Sequence, residues 1–164
     1  MTPDSGLECN ARALALGTAE GTALVLDEPL SLWGGMDPLT GRVIDGRHPQ
    51  AGLILSGEIL VMPNGRGSSS SSSVLAEAIR LGTAPSGIIL TEPDGILMVG
   101  SMVARELYDL SCPVVVLDLH CYEFIQPGDQ VRIDALTSQA RVTIARAGDP
   151  AKRGDSPGAR SSGT

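Results

Sequence analysis

The sequence predicts an α/β fold in which a parallel βαβαβ core is flanked by β-hairpins. Between residues 52 and 117, apolar runs typical of buried strands alternate with segments of helical periodicity. Strands that alternate with short helices pair in parallel through right-handed crossovers. Before and after this region, apolar and polar residues alternate in short segments, a pattern typical of antiparallel hairpins.

Length and charge limit the possible functions. The chain has 164 residues, which suffices for one domain with a sizeable core but not for two of ordinary size. Its net charge of −7 and its single lysine, Lys152, argue against a nucleic-acid surface. No stretch approaches the ~20 apolar residues of a membrane helix, and residues 1–10 lack the basic-then-apolar order of a signal peptide. We therefore expect a cytoplasmic protein that binds neither membranes nor nucleic acids.

The N-terminal part is predicted to form paired strands and then a loop. Two short apolar runs, residues 11–17 and 22–26, are joined through residues 18–21 and indicate a hairpin or meander. Residues 30–41 are dense in Gly, Pro and Asp and are predicted to be a loop. This loop contains Trp33, the only tryptophan, which either serves a function or covers the edge of the core.

The parallel core is predicted to contain three strands and two helices. Each strand is an apolar run, and each helix shows apolar residues at helical spacing. Gly82 is a suitable C-cap for the first helix. In chain order the predicted elements are a strand at residues 59–62, a helix from Val74 to Gly82, a strand at 87–91, a helix at 98–108 and a strand at 113–117. The carboxyl ends of these strands then meet at one edge of the sheet.

The C-terminal part is predicted to close the fold. After a turn at residues 124–129, residues 130–135 and 140–145 alternate in the manner of a hairpin. Residues 148–164 have no apolar periodicity, and we expect a disordered tail there. The predicted organisation is an N-terminal extension at 1–10, one domain at 11–147 and this tail.

An elbow of glycines and serines joins the first core strand to its helix. Gly65 and Gly67 permit backbone conformations that a Cβ would obstruct, and six consecutive serines follow at residues 68–73. Serine is a preferred N-cap, and the free N–H groups of a helix start stabilise a hydroxyl, an alkoxide or a bound carboxylate. A serine run is also typical of a flexible linker. Because this run joins a buried strand directly to an amphipathic helix, we favour an elbow that can carry chemistry.

Other familiar sites are incomplete. A phosphate-binding P-loop needs a lysine that the Arg66-Gly67 segment lacks. Ser68 has no glycine two residues further on, as a hydrolase nucleophile elbow would require. His48 and His120 are isolated in the sequence, and we predict surface or structural roles for both.

The cysteines indicate neither a disulfide framework nor a metal site. Cys9, Cys112 and Cys121 are an odd number at wide spacings, without a Cys-x-x-Cys pair, which suits a reducing cytosol. No cluster of Cys, His and Asp has the spacing of metal ligands. We therefore predict no metal site within this chain.

Two motifs together resemble the small subunit, or swivel domain, of the aconitase X family. The first is residues 29–41, PLSLWGGMDPLTG, and the second is residues 65–70, GRGSSS, followed by GTAP at residues 82–85. The resemblance covers residues 11–145. It implies a three-layer β/β/α swivelling domain that forms a heterodimer with a large subunit. That subunit would hold an iron centre or iron–sulfur cluster and most of the substrate site.

The resemblance also implies a reaction and site residues. Family members are hydro-lyases that act on small carboxylates: the bacterial branch dehydrates cis-3-hydroxy-L-proline and the archaeal branch mevalonate 5-phosphate. The first serine after the glycine of the second motif is the base that removes the α-proton, which is Ser68 here. Trp33 and the full serine run resemble the bacterial branch. The implied substrate-binding residues are Ser31, Trp33, Gly34, Arg66, Gly67, Ser69 and Ser70.

Three alternatives remain open at this stage. The first is a phosphomevalonate dehydratase small subunit, which would share the fold and the base. The second is a phosphohistidine-type carrier domain, although a carrier needs a histidine at the helix start, where this sequence has serine. The third is a non-catalytic regulatory or assembly domain, since no complete catalytic site lies within the one chain.

Overall fold

A computed structural model describes residues 6–147 of the chain. The first five residues and the predicted tail at 148–164 lie outside the described residues. Within 6–147, no helix is long and apolar enough to cross a membrane. The elements in chain order are β1 (Leu7–Ala15), β2 (Gly17–Val25), α1 (Leu32–Gly35), β3 (Ile59–Val61), α2 (Ser71–Leu81), β4 (Gly87–Leu90), α3 (Gly95–Tyr108), β5 (Val114–Val116), α4 (Leu119–Phe124), β6 (Gln130–Ala135) and β7 (Gln139–Ala145).

These strands form one closed barrel in the order β1–β5–β4–β3–β2–β6–β7. Strands β3, β4 and β5 are parallel, with Leu60 opposite Ile88 and Ile89 opposite Val115. Strand β2 extends this parallel set beside β3, and the antiparallel pairing of β7 with β1 closes the barrel. The predicted mixed α/β fold and the closing hairpin of β6 and β7 are therefore confirmed, and the parallel strands form part of a closed barrel that the sequence did not predict.

The predicted pairing of the first two strands with each other is wrong. Only Leu16 separates β1 from β2, yet β1 lies between β5 and β7 whereas β2 lies between β3 and β6. Residues 18–21, predicted as the connection, lie inside β2. Gly21 is not a turn residue: a Cβ there would come within 2.7 Å of the Gly57 carbonyl oxygen, so this glycine allows close backbone approach within a strand. Strand β1 itself begins at Leu7, within the segment that we assigned to an N-terminal extension.

The parallel strands are buried on both faces, which explains their unbroken apolar sequences. Ile59 and Val61 of β3 point into the barrel, where they join Ile133 and Val142 of the closing hairpin. Leu60 points the other way and packs in a second core that includes residues of α2 and α3, namely Leu75, Ala78, Ile79, Leu97 and Ala104. Strand β3 thus lies between two separate hydrophobic cores.

The ends of the two long helices follow from local capping. Gly82 is the C-cap of α2, as predicted: its φ is +76°, and its N–H donates to the carbonyls of Ala78 and Ile79. Helix α3 begins at Gly95, earlier than predicted, because the preceding Asp94 caps it. Asp94 Oδ1 accepts the N–H groups of Ile96 and Leu97, at 2.9 and 3.0 Å.

Helix α4, which the sequence did not predict, brings two cysteines together. Cys121 on α4 forms a disulfide with Cys9 on β1 although 112 residues separate them, with their Cα atoms 6.4 Å apart. The expectation that the widely spaced cysteines form no disulfide is wrong for this pair, because spacing in the sequence does not report proximity across the barrel. Cys112 is a free buried thiol, and burial raises its pKa to about 12, so that it remains protonated.

Gly100 sets how closely α3 approaches α2. A Cβ at Gly100 would lie 2.7 Å from the Ser72 carbonyl oxygen and 3.1 Å from Leu75 Cβ. We expect Gly100→Ala to lower the free energy of unfolding by about 1–3 kcal/mol, as overpacking typically does, measured by denaturant titration. Gly95→Ala on the same helix is the control, because a Cβ there meets nothing within 4 Å. Equal losses in the two variants would contradict this account.

Candidate functional site

A cleft of about 60 Å³ lies where α2 and α3 begin, beyond the carboxyl ends of β3 and β4. Three separate segments line it: the start of the Trp33 loop, the glycine–serine elbow and the start of α3. Both helices begin at this space, and their first N–H groups have acceptors within the chain: Asp94 Oδ1 accepts those of Ile96 and Leu97, and Ser68 Oγ accepts that of Ser70. The lining residues are Leu30, Leu32, Gly65, Arg66, Gly67, Ser68, Ser71, Asp94, Ile96 and Leu97.

The serine run is a turn that continues into a helix, so the linker alternative is wrong. Its second half, from Ser71, already belongs to α2. Ser70 occupies the N-cap position as predicted for a serine, but its hydroxyl makes no capping hydrogen bond. The turn is held instead by its neighbours: Ser68 Oγ accepts the Ser70 N–H at 3.1 Å, and Ser72 Oγ donates to the Ser69 carbonyl at 2.8 Å.

Ser68 is exposed and lines the cleft. Because its Oγ accepts an N–H hydrogen bond, the hydroxyl proton is not needed for the turn. The same N–H would hold an alkoxide more tightly than it holds the hydroxyl, since hydrogen bonds to a charged acceptor are the stronger ones. The geometry of Ser68 is thus compatible with a base.

Arg66 and Gly67 precede Ser68 in the same wall of the cleft. Arg66 is exposed, and no acidic side chain in residues 6–147 forms an ion pair with it. Gly67 has a φ of +88°, and a Cβ there would lie 2.5 Å from Ser31 Oγ. A glycine is therefore required at position 67 for both conformation and space.

Within the Trp33 loop, α1 is one irregular turn in which Trp33 (φ −69°, ψ 114°) and Gly34 (φ +75°, ψ −10°) are not helical, which agrees with the predicted loop. Buried Leu30 and Leu32 fix this segment to the core, whereas Trp33 is 58% exposed. A side chain so exposed does not cover the core edge, so that alternative loses its support. Gly34 follows with a φ of +75° and with open space around its Cβ position.

The structure brings some, but not all, of the predicted site residues together. Arg66, Gly67 and Ser68 line the cleft directly. Ser31 lies against Gly67, and the Trp33 N–H donates to Ser71 Oγ at 3.1 Å. The remaining predicted residues, Gly34, Ser69 and Ser70, are not among the residues that line the cleft.

Two polar residues that line the cleft, Asp94 and Ser71, were not predicted as site residues from the sequence. Asp94 had a recognisable signature, because an Asp directly before an apolar helical run is a typical N-cap. Its Oδ2 lies so close to Gly65 that a Cβ there would collide with it. Ser71 had no such signature, since within a run of six serines nothing distinguishes the one that is buried.

No metal site is found within the described part of the chain. No group of three or more His, Cys, Asp or Glu side chains in residues 6–147 is placed to hold an ion. His48 has the structural role predicted for it: it is 5% exposed, its Nδ1 accepts the Gln50 N–H, and its Nε2 contacts the Glu28 carbonyl, each at 3.0 Å. His120 is exposed on α4.

Comparison with known proteins assigns the family. Residues 8–144 match the family model described as the aconitase X swivel domain. The chain belongs to this family. In fold it is similar to the crystal structure of Thermococcus kodakaraensis aconitase X (holo-form), with a TM-score of 0.74 and 33% identity over 85% of this chain and 99% of that one.

Two relatives of this aconitase X swivel domain are of different lengths. This chain is 48% identical to cis-3-hydroxy-L-proline dehydratase of Pseudomonas aeruginosa over 106 residues, which are 65% of this chain but only 18% of that protein. It is 31% identical to the phosphomevalonate dehydratase small subunit of Methanosarcina mazei over 144 residues, 87% of this chain and 94% of that subunit.

The cap at Asp94 can be tested separately from any activity. We expect Asp94→Ala to lower the free energy of unfolding by about 0.5–2 kcal/mol, because it leaves two helix N–H groups without their acceptor. Asp94→Asn should retain most of the stability, since asparagine caps helices about as well as aspartate. Denaturant titration of both variants is the measurement. If Asn proved as costly as Ala, the carboxylate charge rather than the cap would be what stabilises the fold.

Proposed function

We propose that this aconitase X swivel domain is the small subunit of a hydro-lyase and provides the serine base for dehydration of cis-3-hydroxy-L-proline. The observation that carries the proposal is the placement of Ser68. Its Oγ lines a cleft at two helix starts, accepts the Ser70 N–H and stands two residues from an arginine without an ion pair in residues 6–147. A base that acts as an alkoxide needs such a field.

In this proposal Ser68 Oγ removes the proton α to the substrate carboxylate and becomes a hydroxyl. The Ser70 N–H stabilises the alkoxide before the transfer, and Arg66 is placed to attract the substrate carboxylate or to stabilise the same alkoxide. The substrate hydroxyl then leaves and is protonated to water, and the proton that Ser68 has accepted balances this step when Ser68 releases it. No group in the described part of this chain is assigned to that second step.

The proposed partner is an aconitase X-type large subunit, on which this domain closes as a swivelling domain. A cleft of about 60 Å³ is smaller than the roughly 300–1,000 Å³ of typical ligand pockets, which supports completion of the substrate site by another surface. The two cores on opposite faces of β3 support the three-layer β/β/α arrangement that such a domain would have. The cytoplasm is its proposed location, although the Cys9–Cys121 disulfide removes the support that the cysteine spacing gave to a reducing compartment.

The side chains of residues 6–147 do not fit an iron centre or iron–sulfur cluster. Cys9 and Cys121 are bonded to each other, and Cys112 is buried and protonated. Thiolate ligands are therefore lacking in residues 6–147. We propose that the metal centre is held by the large subunit.

The substrate class is supported by the charges in the cleft and by one relative. Arg66 and Asp94 offer opposite charges, which suits the carboxylate and ammonium of an amino acid better than a doubly charged phosphate. The Pseudomonas relative, 48% identical, is named for the hydroxyproline reaction. Phosphomevalonate remains the second candidate, because the Methanosarcina relative is a separate small subunit matched over 94% of its length.

The base assignment is tested in the complex with the large subunit. We expect Ser68→Ala to lower the turnover number by at least ~10²-fold, the low end for loss of general-base catalysis. The midpoint of thermal unfolding should change little, because the exposed Oγ accepts only the Ser70 N–H. Ser73→Ala, at an exposed position on α2, is the matched control.

Two outcomes would reject this assignment. If Ser69→Ala or Ser70→Ala abolished turnover while Ser68→Ala did not, the base would lie elsewhere in the serine run. If none of the three variants affected turnover, the elbow would be structural, and a regulatory or assembly domain would become the better interpretation.

The location of the metal is tested by purifying the chain alone and with its large subunit under anaerobic conditions. We expect less than stoichiometric iron in the isolated chain and bound iron in the complex, measured by elemental analysis. The reason is that no thiolate cluster is available in residues 6–147. Stoichiometric iron in the isolated chain would overturn the assignment to the partner.

A further inference from the structure

We propose that Ser71 is a positioning residue that holds residues 31–35 of the Trp33 loop at the edge of the cleft. Ser71 is the first residue of α2 and is 4% exposed. Its Oγ accepts the backbone N–H of Trp33 at 3.1 Å, across 38 residues of sequence. This hydrogen bond connects α2, which begins shortly after the proposed base Ser68, to the loop that contains the only tryptophan. In its effect on catalysis the inference rests on the proposed function, whereas the contact itself does not.

The backbone of Trp33 is held at both its N–H group and its carbonyl oxygen. Ser31, the N-cap of α1, makes no capping hydrogen bond with its side chain. Its Oγ instead donates to the Trp33 carbonyl oxygen at 3.0 Å, while Ser71 takes the Trp33 N–H from the opposite element. The backbone of residue 33 is therefore fixed, and its indole, 58% exposed, is free to contact another molecule.

The same two serines connect the loop to the residues on either side of Ser68. Ser31 Oγ occupies the space that a Cβ would take at Gly67, directly before Ser68. Ser71 follows Ser68, and its own N–H donates to the Ser68 carbonyl at 3.0 Å. A displacement of the Trp33 loop would therefore remove the contact of Ser31 with Gly67 and leave Ser71 Oγ without its donor, while the Ser71 N–H bond to the Ser68 carbonyl would remain.

A positioning role differs from a purely structural one in what it changes. If Ser71 only filled the core, Ser71→Ala would lower stability and leave the mobility of Trp33 unaltered. If Ser71 holds the loop, the substitution releases the Trp33 N–H and the indole moves more freely. Trp33 reports this directly, because it is the only tryptophan in the chain.

The first measurement is time-resolved fluorescence anisotropy of Trp33 in the folded chain without its partner. We expect Ser71→Ala to increase the amplitude of the fast decay, while Ser73→Ala leaves the decay as in the wild type. Ser71→Thr retains the hydroxyl and should restore the slow decay. If Ser71→Ala does not fold, Ser71→Cys replaces it, since sulfur is a weak acceptor of similar volume. A wild-type decay in a folded Ala or Cys variant would overturn the proposal.

The second measurement is steady-state kinetics of the complex with cis-3-hydroxy-L-proline. We expect KM to rise roughly three- to tenfold in Ser71→Ala, the effect of about one hydrogen bond, with kcat within about twofold of the wild type. A fall in kcat at unchanged KM would overturn the positioning role and indicate a direct part in the chemistry. If the wild-type complex lacks dehydratase activity, the proposed function fails, and the anisotropy result alone decides whether Ser71 holds the loop.

Discussion

The absence of side chains at Gly65 and Gly67 is the constraint on which the cleft depends. At Gly65 a Cβ would collide with the carboxylate of Asp94, and at Gly67 it would lie 2.5 Å from Ser31 Oγ. Asp94 in turn caps α3 through two hydrogen bonds. The two glycines of the elbow therefore allow Asp94 at the start of α3 and Ser31 in the Trp33 loop to lie close to the elbow in one cleft.

The elbow gains its rigidity from the strand that precedes it. Strand β3 lies between β2 and β4, and its two faces are covered by different cores, represented by Ile59 within the barrel and Leu60 beneath the helices. Because the end of β3 is held in the packed sheet, the exposed elbow residues that follow it, Arg66 to Ser68, keep a defined position. This is the usual way in which a packed scaffold holds reactive groups on its loops.

Local sequence patterns predicted the parts of the fold that depend on near neighbours. The strands of the parallel core, the C-cap at Gly82 and the closing hairpin follow from apolar periodicity and turn chemistry, and the structure confirms them. The partners of β1 and the bond between Cys9 and Cys121 depend on barrel closure, which no local pattern encodes. For the same reason the elbow could be identified from the sequence, whereas the contact of Ser71 with the Trp33 N–H and the approach of Asp94 to Gly65 could not.

Exposure to water limits what the cleft can do in the isolated chain. One N–H hydrogen bond and the nearby Arg66 are the groups placed to favour an alkoxide at Ser68, and both Arg66 and Ser68 are exposed. Two unit charges 4 Å apart interact by about 1 kcal/mol in water but by about 4 kcal/mol at the effective dielectric of a partly covered protein surface. Covering the cleft would therefore strengthen each interaction without moving a residue of this chain. On the proposed function, closure of the large subunit would control the basicity of Ser68 as well as access to it, and a base that is weak in the open domain would remove no protons before the substrate is enclosed.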